Sequence, residues 1–262
     1  MKDLFALRGK LPAKQGMAIE IGGAFFFLMV WWSLVHFGVV RSSILPNPAK
    51  VLTSFPELLT KDDLIRNAAF SVKNNILAYL EAIAISLPLG FLIGLFPFFR
   101  NLLGRYVAAS RFLPLSALIG LFILWYGIYA NMVIQFLCFG IVVYMLPVVV
   151  QRIDEVQQVY LDTVKTLGAN KWQTIRSVFI PDVVSRFFDD ILVLTAISYT
   201  YIIIAEMVNM GQGGIGAMCY QVSRASRTDK VFAILLVIIA IGFVQDQILR
   251  RLDKALFPHK HA

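Results

Sequence analysis

The sequence predicts an all-α integral membrane protein, and three observations carry that prediction. Of the 262 residues, 58% are hydrophobic and the mean hydropathy is +0.73, whereas soluble domains run at about 45–50% apolar. Only 15% are charged, and they cluster between apolar runs instead of spreading along the chain. The runs themselves have the length, roughly 17–25 residues, that a helix needs to cross the hydrocarbon core. We read six spans, at residues 19–37, 76–99, 112–129, 132–150, 187–208 and 231–249. They form one membrane domain, 19–249, between tails 1–18 and 250–262, with an outer loop at 38–75 and a cytoplasmic loop at 151–186.

The first span follows a basic tail, as a secretory signal would. Its apolar run is too long and too rich in Phe and Trp for a signal core, and no small-residue cleavage site follows. An uncleaved anchor is expected. In the outer loop, Asn47 can cap a helix whose first residue, Pro48, lacks a donor that would be orphaned anyway. Val51, Phe55, Leu58 and Leu59 then share one face of a short amphipathic helix at the outer surface. The second span ends in a short basic inner loop, 100–111. The third and fourth form a hairpin turning at Ala130-Asn131.

Between the fourth and fifth spans lies a charged island, 160–181. An amphipathic segment there stops at Leu167-Gly168-Ala169, and a second starts at Asn170 and ends on Pro181. A basic helix–Gly–helix element between spans is a docking surface for something in the cytoplasm. After the fifth span, Gly211-Gln212-Gly213-Gly214-Ile215-Gly216 matches the dinucleotide fingerprint. It follows a membrane span instead of a strand, so the match fails its structural context. A flexible outer turn, with glycines allowing close backbone approach, is expected.

The net charge of +8 would suit nucleic acid, but its placement suits a membrane. With the N-terminus inside, the inner segments hold Lys2, Arg8, Lys10 and Lys14; Arg100, Arg105 and Arg111; Arg152, Lys165, Lys171, Arg176 and Arg186; and Arg250, Arg251, Lys254 and Lys260. These are 16 of the 24 basic residues (4, 3, 5 and 4), leaving eight outside. Cytoplasmic loops carry such an excess, so both termini are expected inside, with phospholipid headgroups as the acidic partner and no nucleic acid.

Ionisable groups within spans are costly and suggest function. Asp189 and Asp190 are expected in the first turn of the fifth span, complementing the helix dipole near the headgroups. Asp246 can pair with Arg250 one turn on. Glu81 is expected in the first turns of the second span, snorkelling to the outer headgroups. Glu206, near the outer end of the fifth span, can bond outer-loop backbone, Arg224 or Arg227, or act as an outer gate. No catalytic constellation appears. His36, His259 and His261 lie apart, without metal-ligand spacing. The two cysteines, Cys138 and Cys219, build no disulfide framework. There is no nucleophile elbow and no phosphate loop, so no cofactor or metal is expected, and ATP-driven transport needs its nucleotide site on another polypeptide.

Several segments, in order, carry a family resemblance over residues 44–254. Leu45-Pro46-Asn47-Pro48-Ala49-Lys50-Val51 is similar to a Leu-Pro-x-Pro-x-x-Val motif. The stretch from Leu118 to Gly127 is similar to a third-span signature ending in Trp-Phe-Gly. Leu167-Gly168-Ala169, Trp172, Val178 and Pro181 match a coupling loop. Ala205-Glu206-Met207, Gly214-Ile215-Gly216, Asp229-Lys230-Val231 and Arg250-Arg251-Leu252 follow. The chain resembles the permease subunits of the nitrate/sulfonate/taurine group of ABC importers. It departs from them at Asp162-Thr163-Val164, where the family has Glu-Ala-Ala, and at Phe112, Leu115 and Gly120, where it has prolines.

The resemblance implies a six-span type I ABC-importer permease fold, paired as a homodimer around a path for a small anion such as nitrate, sulfonate, taurine or bicarbonate. An outer solute-binding protein would deliver the solute, and two cytoplasmic ATPase subunits would dock on Asp162, Leu167, Gly168, Ala169, Trp172 and Pro181. The third and fifth spans would face the partner copy, making Ser116, Gly120, Thr195, Ser198, Tyr199 and Thr200 candidates to line the path. Helix packing favours the same residue types, so both readings stand. The alternative function is an ion-coupled secondary transporter. That class predicts polar residues near the midplane and an internal repeat, and no repeat is seen.

Overall fold

The structure, a computed structural model, describes residues 11–260. Lys2, Arg8, Lys10 and His261 lie outside the described residues. Among those described there are helices and turns and no strand. Five helices are long and apolar enough to cross a membrane. The chain divides into two compact units, one comprising residues up to 62 with 222–235, the other 63–221 with 236 onward.

In the first unit, α1 (Ala13–His36) exposes Phe25, Phe26 and Phe27 along its length, as a span facing lipid would. Its outer end is tied down by Trp31, whose Nε1 donates to the Pro46 carbonyl at 3.0 Å and whose ring lies 5.6 Å from that of Phe232. The amphipathic helix α2 (Pro48–Thr60) begins where the sequence placed it. The Asn47 side chain accepts from the Ala49 amide at 2.9 Å, and Val51 and Leu58 are buried, although Leu59 is exposed. An ionic knot joins α2 to the start of α11 (Thr228–Leu256). Arg227 reaches Glu57 at 3.0 Å and Asp229 at 2.9 Å, and buried Lys230 reaches Glu57 at 3.2 Å. The hydrogen bond from Arg227, then that from Lys230, holds the Glu57 carboxyl below its ordinary value.

In the second unit, α3 (Leu64–Leu95) begins twelve residues before the expected second span. Residues 64–75 are too polar to register as a span, yet Leu64, Ser71, Asn74 and Asn75 prolong the same buried face as Ala78, Ala82, Ser86, Gly90 and Ile93. Glu81 therefore sits mid-helix, not in the first turns, and accepts from Gln135 Nε2 at 2.8 Å. The small residues of that face let α3 lie close against α6 (Ala130–Asp154). A Cβ on Gly90 would overlap the side chain of Val149, and one on Gly94 that of Ile153.

The inner loop 100–111 is also not a loop. It is α4 (Pro97–Ser110), bent by 106° from α5 (Leu115–Tyr126). The expected third span thus contains a helix of only 12 residues, about 18 Å long, which is short of the hydrocarbon thickness. The hairpin turn falls at Gly127, Ile128 and Tyr129, and Ala130 already belongs to α6.

Candidate functional site: the Gly168 turn, its ionic collar and the helices around it

The loop between the fourth and fifth expected spans is built by two opposed helix-end motifs. Helix α7 (Gln158–Thr166) closes with the Gly168 amide donating to the Lys165 carbonyl and the Ala169 amide to the Val164 carbonyl, both at 3.0 Å. This double closure requires a left-handed residue just past the helix, and Gly168 supplies it at φ 76°. Immediately after, Asn170 and Gln173 form a reciprocal capping box, each side chain accepting from the other's backbone amide at 2.9 and 2.8 Å. Sequence alone shows both motifs. The result is a turn fixed at each end, with Leu167 at its tip 80% exposed.

Beyond the box the chain does not stop at Pro181. The short α8 (Lys171–Thr174) passes through a π-helical turn, Ile175–Phe179, into α9 (Ile180–Val208). Proline lacks an amide donor and its ring crowds the carbonyl four residues back. The wider turn relieves both conflicts, so the helix runs on. One helical run of 38 residues, Lys171–Val208, joins the turn to a segment long and apolar enough to cross a membrane.

The structure brings together only part of the expected docking set. Leu167, Gly168 and Ala169 share the tip. Asp162 points elsewhere, accepting from Gln158 Nε2 at 2.9 Å. Trp172, 65% exposed, lines an apolar groove of about 540 Å³ with Leu87, Phe91 and Leu95 of α3. Pro181 lines a separate cleft with Tyr160 and Thr163.

Sequence reasoning missed an ionic collar where the end of α6 meets α9. Arg152, at the end of α6, grips Asp190 of α9 through Nε and Nη2 at 2.8 and 2.7 Å, and Glu155 through Nη1 at 2.6 Å. Arg186 bonds Asp182 and lies 3.7 Å from Glu155. Arg100 reaches Asp154 at 2.6 Å, and Lys260 reaches Asp189 at 2.9 Å and Asp253 at 3.0 Å. The Gln151 amide first, and then Arg152, hold the Glu155 carboxyl below its usual value. Asp189 and Asp190 are therefore ion-pair partners one-third of the way along α9. They do not complement its N-terminus, because that helix began earlier than the hydropathy implied. Asp182–Arg186 and Asp246–Arg250 (2.7 Å) have helical i, i+4 spacing; the second was expected and is present.

The six path candidates are not brought together either. Ser116 and Gly120 are exposed on α5. On α9, at 3.6 residues per turn, the four others point three ways. Thr195 and Tyr199 face α11, where the Tyr199 hydroxyl donates to Gln245. Buried Ser198 accepts from Asn75 Nδ2 at 2.8 Å, and Thr200 is exposed.

Near the C-terminal end of α9, Glu206 is 0% exposed. Its carboxylate accepts from Ser71 Oγ at 2.7 Å and from the Gly216 amide at 2.9 Å. Ser71 Oγ accepts from the Ile215 amide at 2.8 Å, and Asn67 accepts from that of Gly214 at 2.9 Å. Three amides at the start of α10 (Ile215–Arg224) are thus satisfied from α3 and α9. Side-chain acceptors serve where helix starts leave donors orphaned, and a carboxylate there also complements the dipole. The expected bond to outer-loop backbone is present, whereas Arg227 goes to Glu57 and Asp229. The approach is close: a Cβ on Gly216 would meet the backbone of Ile203. The glycine-rich turn is confined to the residues before Ile215, and a helix follows it.

Residues 86–258 match the family described as the inner membrane component of binding-protein-dependent transport systems. The chain belongs to that family. Over 257 residues the permease is 25% identical to the taurine transport system permease protein TauC of Escherichia coli, covering 96% of this chain and 93% of that one. It is also 25% identical to a putative aliphatic sulfonates transport permease, SsuC, of Bacillus subtilis, over 90% of this chain and 85% of that one. Its fold is that of the MetNI methionine ABC transporter in an inward-facing conformation (TM-score 0.61, 17% identity, 73% of this chain and 95% of that one). An amino acid ABC transporter solved with histidines gives a TM-score of 0.59 at 18% identity, over 79% and 98% of the two chains. The permease is therefore a multi-pass inner-membrane transport subunit of the type I importer fold, and not itself an enzyme. The ion-coupled alternative falls away.

Proposed function

We propose that the permease forms the membrane path for a small organic anion of the sulfonate type, with ATPase subunits docking at Leu167-Gly168-Ala169. The observation that carries this reading is the turn itself. An apolar leucine stands exposed on a polar loop, in a backbone fixed from both sides, at the end of a helix that continues through the membrane. Preorganisation of this kind lowers the ordering cost of docking. The taurine and sulfonate relatives supply the solute class. The rest of the assembly follows from the same reading: an outer binding protein delivers the solute, two copies of the permease pair around the path, and both termini and the docking turn face the cytoplasm. Ser116 and Gly120, exposed on α5, and Ser198 with Thr200 on α9 remain the path candidates. Glu206 becomes the brace of the outer end. Asp162, Trp172 and Pro181 support the docking turn from behind it. A two-state bundle biased by ATP-dependent contacts suffices, without covalent chemistry in this chain.

The test changes Gly168. Gly168→Glu forces a β-carbon and a charge into a left-handed position, and should leave the permease inserted while uptake no longer follows ATP hydrolysis. Gly168→Cys, in a background lacking Cys138 and Cys219, should react with an impermeant thiol reagent only after lysis. Wild-type uptake by Gly168→Glu removes the docking assignment, and labelling in intact cells reverses the orientation.

A further inference from the structure

A cavity of about 340 Å³ lies between α4, α6 and α9, lined among others by Arg111, Tyr144, Gln151, Asp154 and Leu194. Its size falls within the roughly 300–1,000 Å³ of small-molecule sites. Its charge is the unusual part. Residues 82–153 contain no Asp or Glu, yet they hold Arg100, Arg105, Arg111 and Arg152. Arg100 is paired with Asp154 at 2.6 Å, and Arg152 with Asp190 and Glu155. Pairing with Arg100 neutralises Asp154, the acidic residue of the wall. Arg111 has no carboxylate partner among the described residues. Its Nε donates to the Ala108 carbonyl at 3.1 Å and its guanidinium stands 6.0 Å from the Phe112 ring, which leaves terminal N–H groups for a ligand.

A second donor comes from the opposite wall. Half-buried Tyr144 and Tyr201 place their hydroxyls 3.2 Å apart. Whichever donates to the other, one O–H remains without an acceptor in the pair. Tyr144 and Leu194 also line a smaller recess with Tyr201 and Ser198. The cavity thus shares two lining residues with a recess on the face of α9 that bears the path candidate Ser198. A fixed guanidinium, an amide at Gln151 and a free phenolic O–H, in a largely apolar wall, suit a compact oxyanion with an aliphatic remainder.

We infer that this cavity is a binding site on the cytoplasmic side for a small organic oxyanion, held by Arg111 and an O–H of the Tyr144–Tyr201 pair. It rests on the proposed import of an anion and on the proposed orientation, and assigns the solute's last station before release. A phospholipid headgroup offers the same oxyanion chemistry, so the experiment separates the two.

The permease is purified into nanodiscs of phosphatidylcholine alone, and ethanesulfonate is titrated calorimetrically beside dihexanoylphosphatidylglycerol. Charge-assisted bonds are about twice as strong as neutral ones, so Arg111→Gln should weaken ethanesulfonate binding about ten-fold or more. Arg111→Lys should retain most of it, Tyr144→Phe with Tyr201→Phe should weaken it, and Arg105→Gln, on the same helix, should not change it. The site is overturned if wild type binds no ethanesulfonate, if Arg111→Gln binds like wild type, or if Arg105→Gln loses as much. It is equally overturned if the lipid analogue is the only species whose binding depends on Arg111. Uptake in cells keeps the two readings apart. A wild type that imports no organic anion removes the proposed solute class, whereas import with unchanged KM and rate in Arg111→Gln removes the site alone.

Discussion

The junction at Glu206 allows a prediction with a worked magnitude. Glu206→Ala leaves the Gly216 amide without its acceptor in a site closed to water, while the Ser71 hydroxyl keeps the Asn67 carbonyl within reach. An orphaned buried donor costs about 1–3 kcal/mol. Glu206→Gln behaves differently. Its carbonyl can still accept from Gly216, and its amide can donate to Ser71 Oγ. The Ser71 hydroxyl can then turn to the Asn67 carbonyl, which it already approaches at 3.2 Å. What Gln loses is the charge at the start of α10, roughly 0.3–2 kcal/mol. The assay is thermal unfolding of the detergent-purified permease, followed by a dye that reacts with buried Cys138 as it is exposed. On a scale of about 2–4 °C per kcal/mol, Glu206→Ala should lower the midpoint by at least about 2 °C and Glu206→Gln by less. If Gln is as damaging as Ala, the charge and not the hydrogen bonding holds the junction. An unchanged midpoint in Glu206→Ala would falsify the brace itself.

Two further outcomes follow from packing and charge. Gly90→Ala should destabilise by about 1–3 kcal/mol, because its β-carbon meets the buried Val149 of α6. Adding Val149→Ala should recover part of that loss, and strict additivity in the double mutant would show that the two helices do not meet there. The Glu57 carboxyl is held below its ordinary value by Arg227 and then Lys230. Its contribution is thus present above the unfolded value of about 4.3 and lost as pH falls through the lower folded value. Glu57→Gln should melt below wild type near neutrality, with the gap closing in acid and shrinking in high salt. A gap independent of pH would mean that Glu57 acts by shape alone.

The spans, the cap at Asn47, the turn at Gly168 and the Asn170–Gln173 box could be read in advance because each is local. Apolar run length, a left-handed glycine and a three-residue spacing need nothing beyond the adjoining chain. Family motifs added the transport role by the same short-range pattern. Hydropathy, however, reports solvent and not helix length. It therefore missed the polar first turns of α3, the bend between α4 and α5 and the passage of α9 through Pro181. Each of those is decided by what the backbone packs against or by how a neighbouring turn widens.

The remaining features join residues far apart in the chain, and only the tertiary structure could decide them. Arg152 finds Asp190 thirty-eight positions on, and Ser71 finds Glu206 across 135. Charge pairs and buried hydrogen bonds take whichever partner the folded helices bring within about 3 Å, and no pattern in the sequence records that distance. The same holds for the four α9 candidates. Their composition suggested a shared lining, but a helix turns them to three faces, and the packing of α6 and α11 decides which of them meets a cavity. The sequence by itself determined that this chain crosses a membrane and carries a helix-terminating turn at Gly168. Tertiary contact decided which charges are paired, and left Arg111 in the wall of a cavity without a carboxylate partner among the described residues.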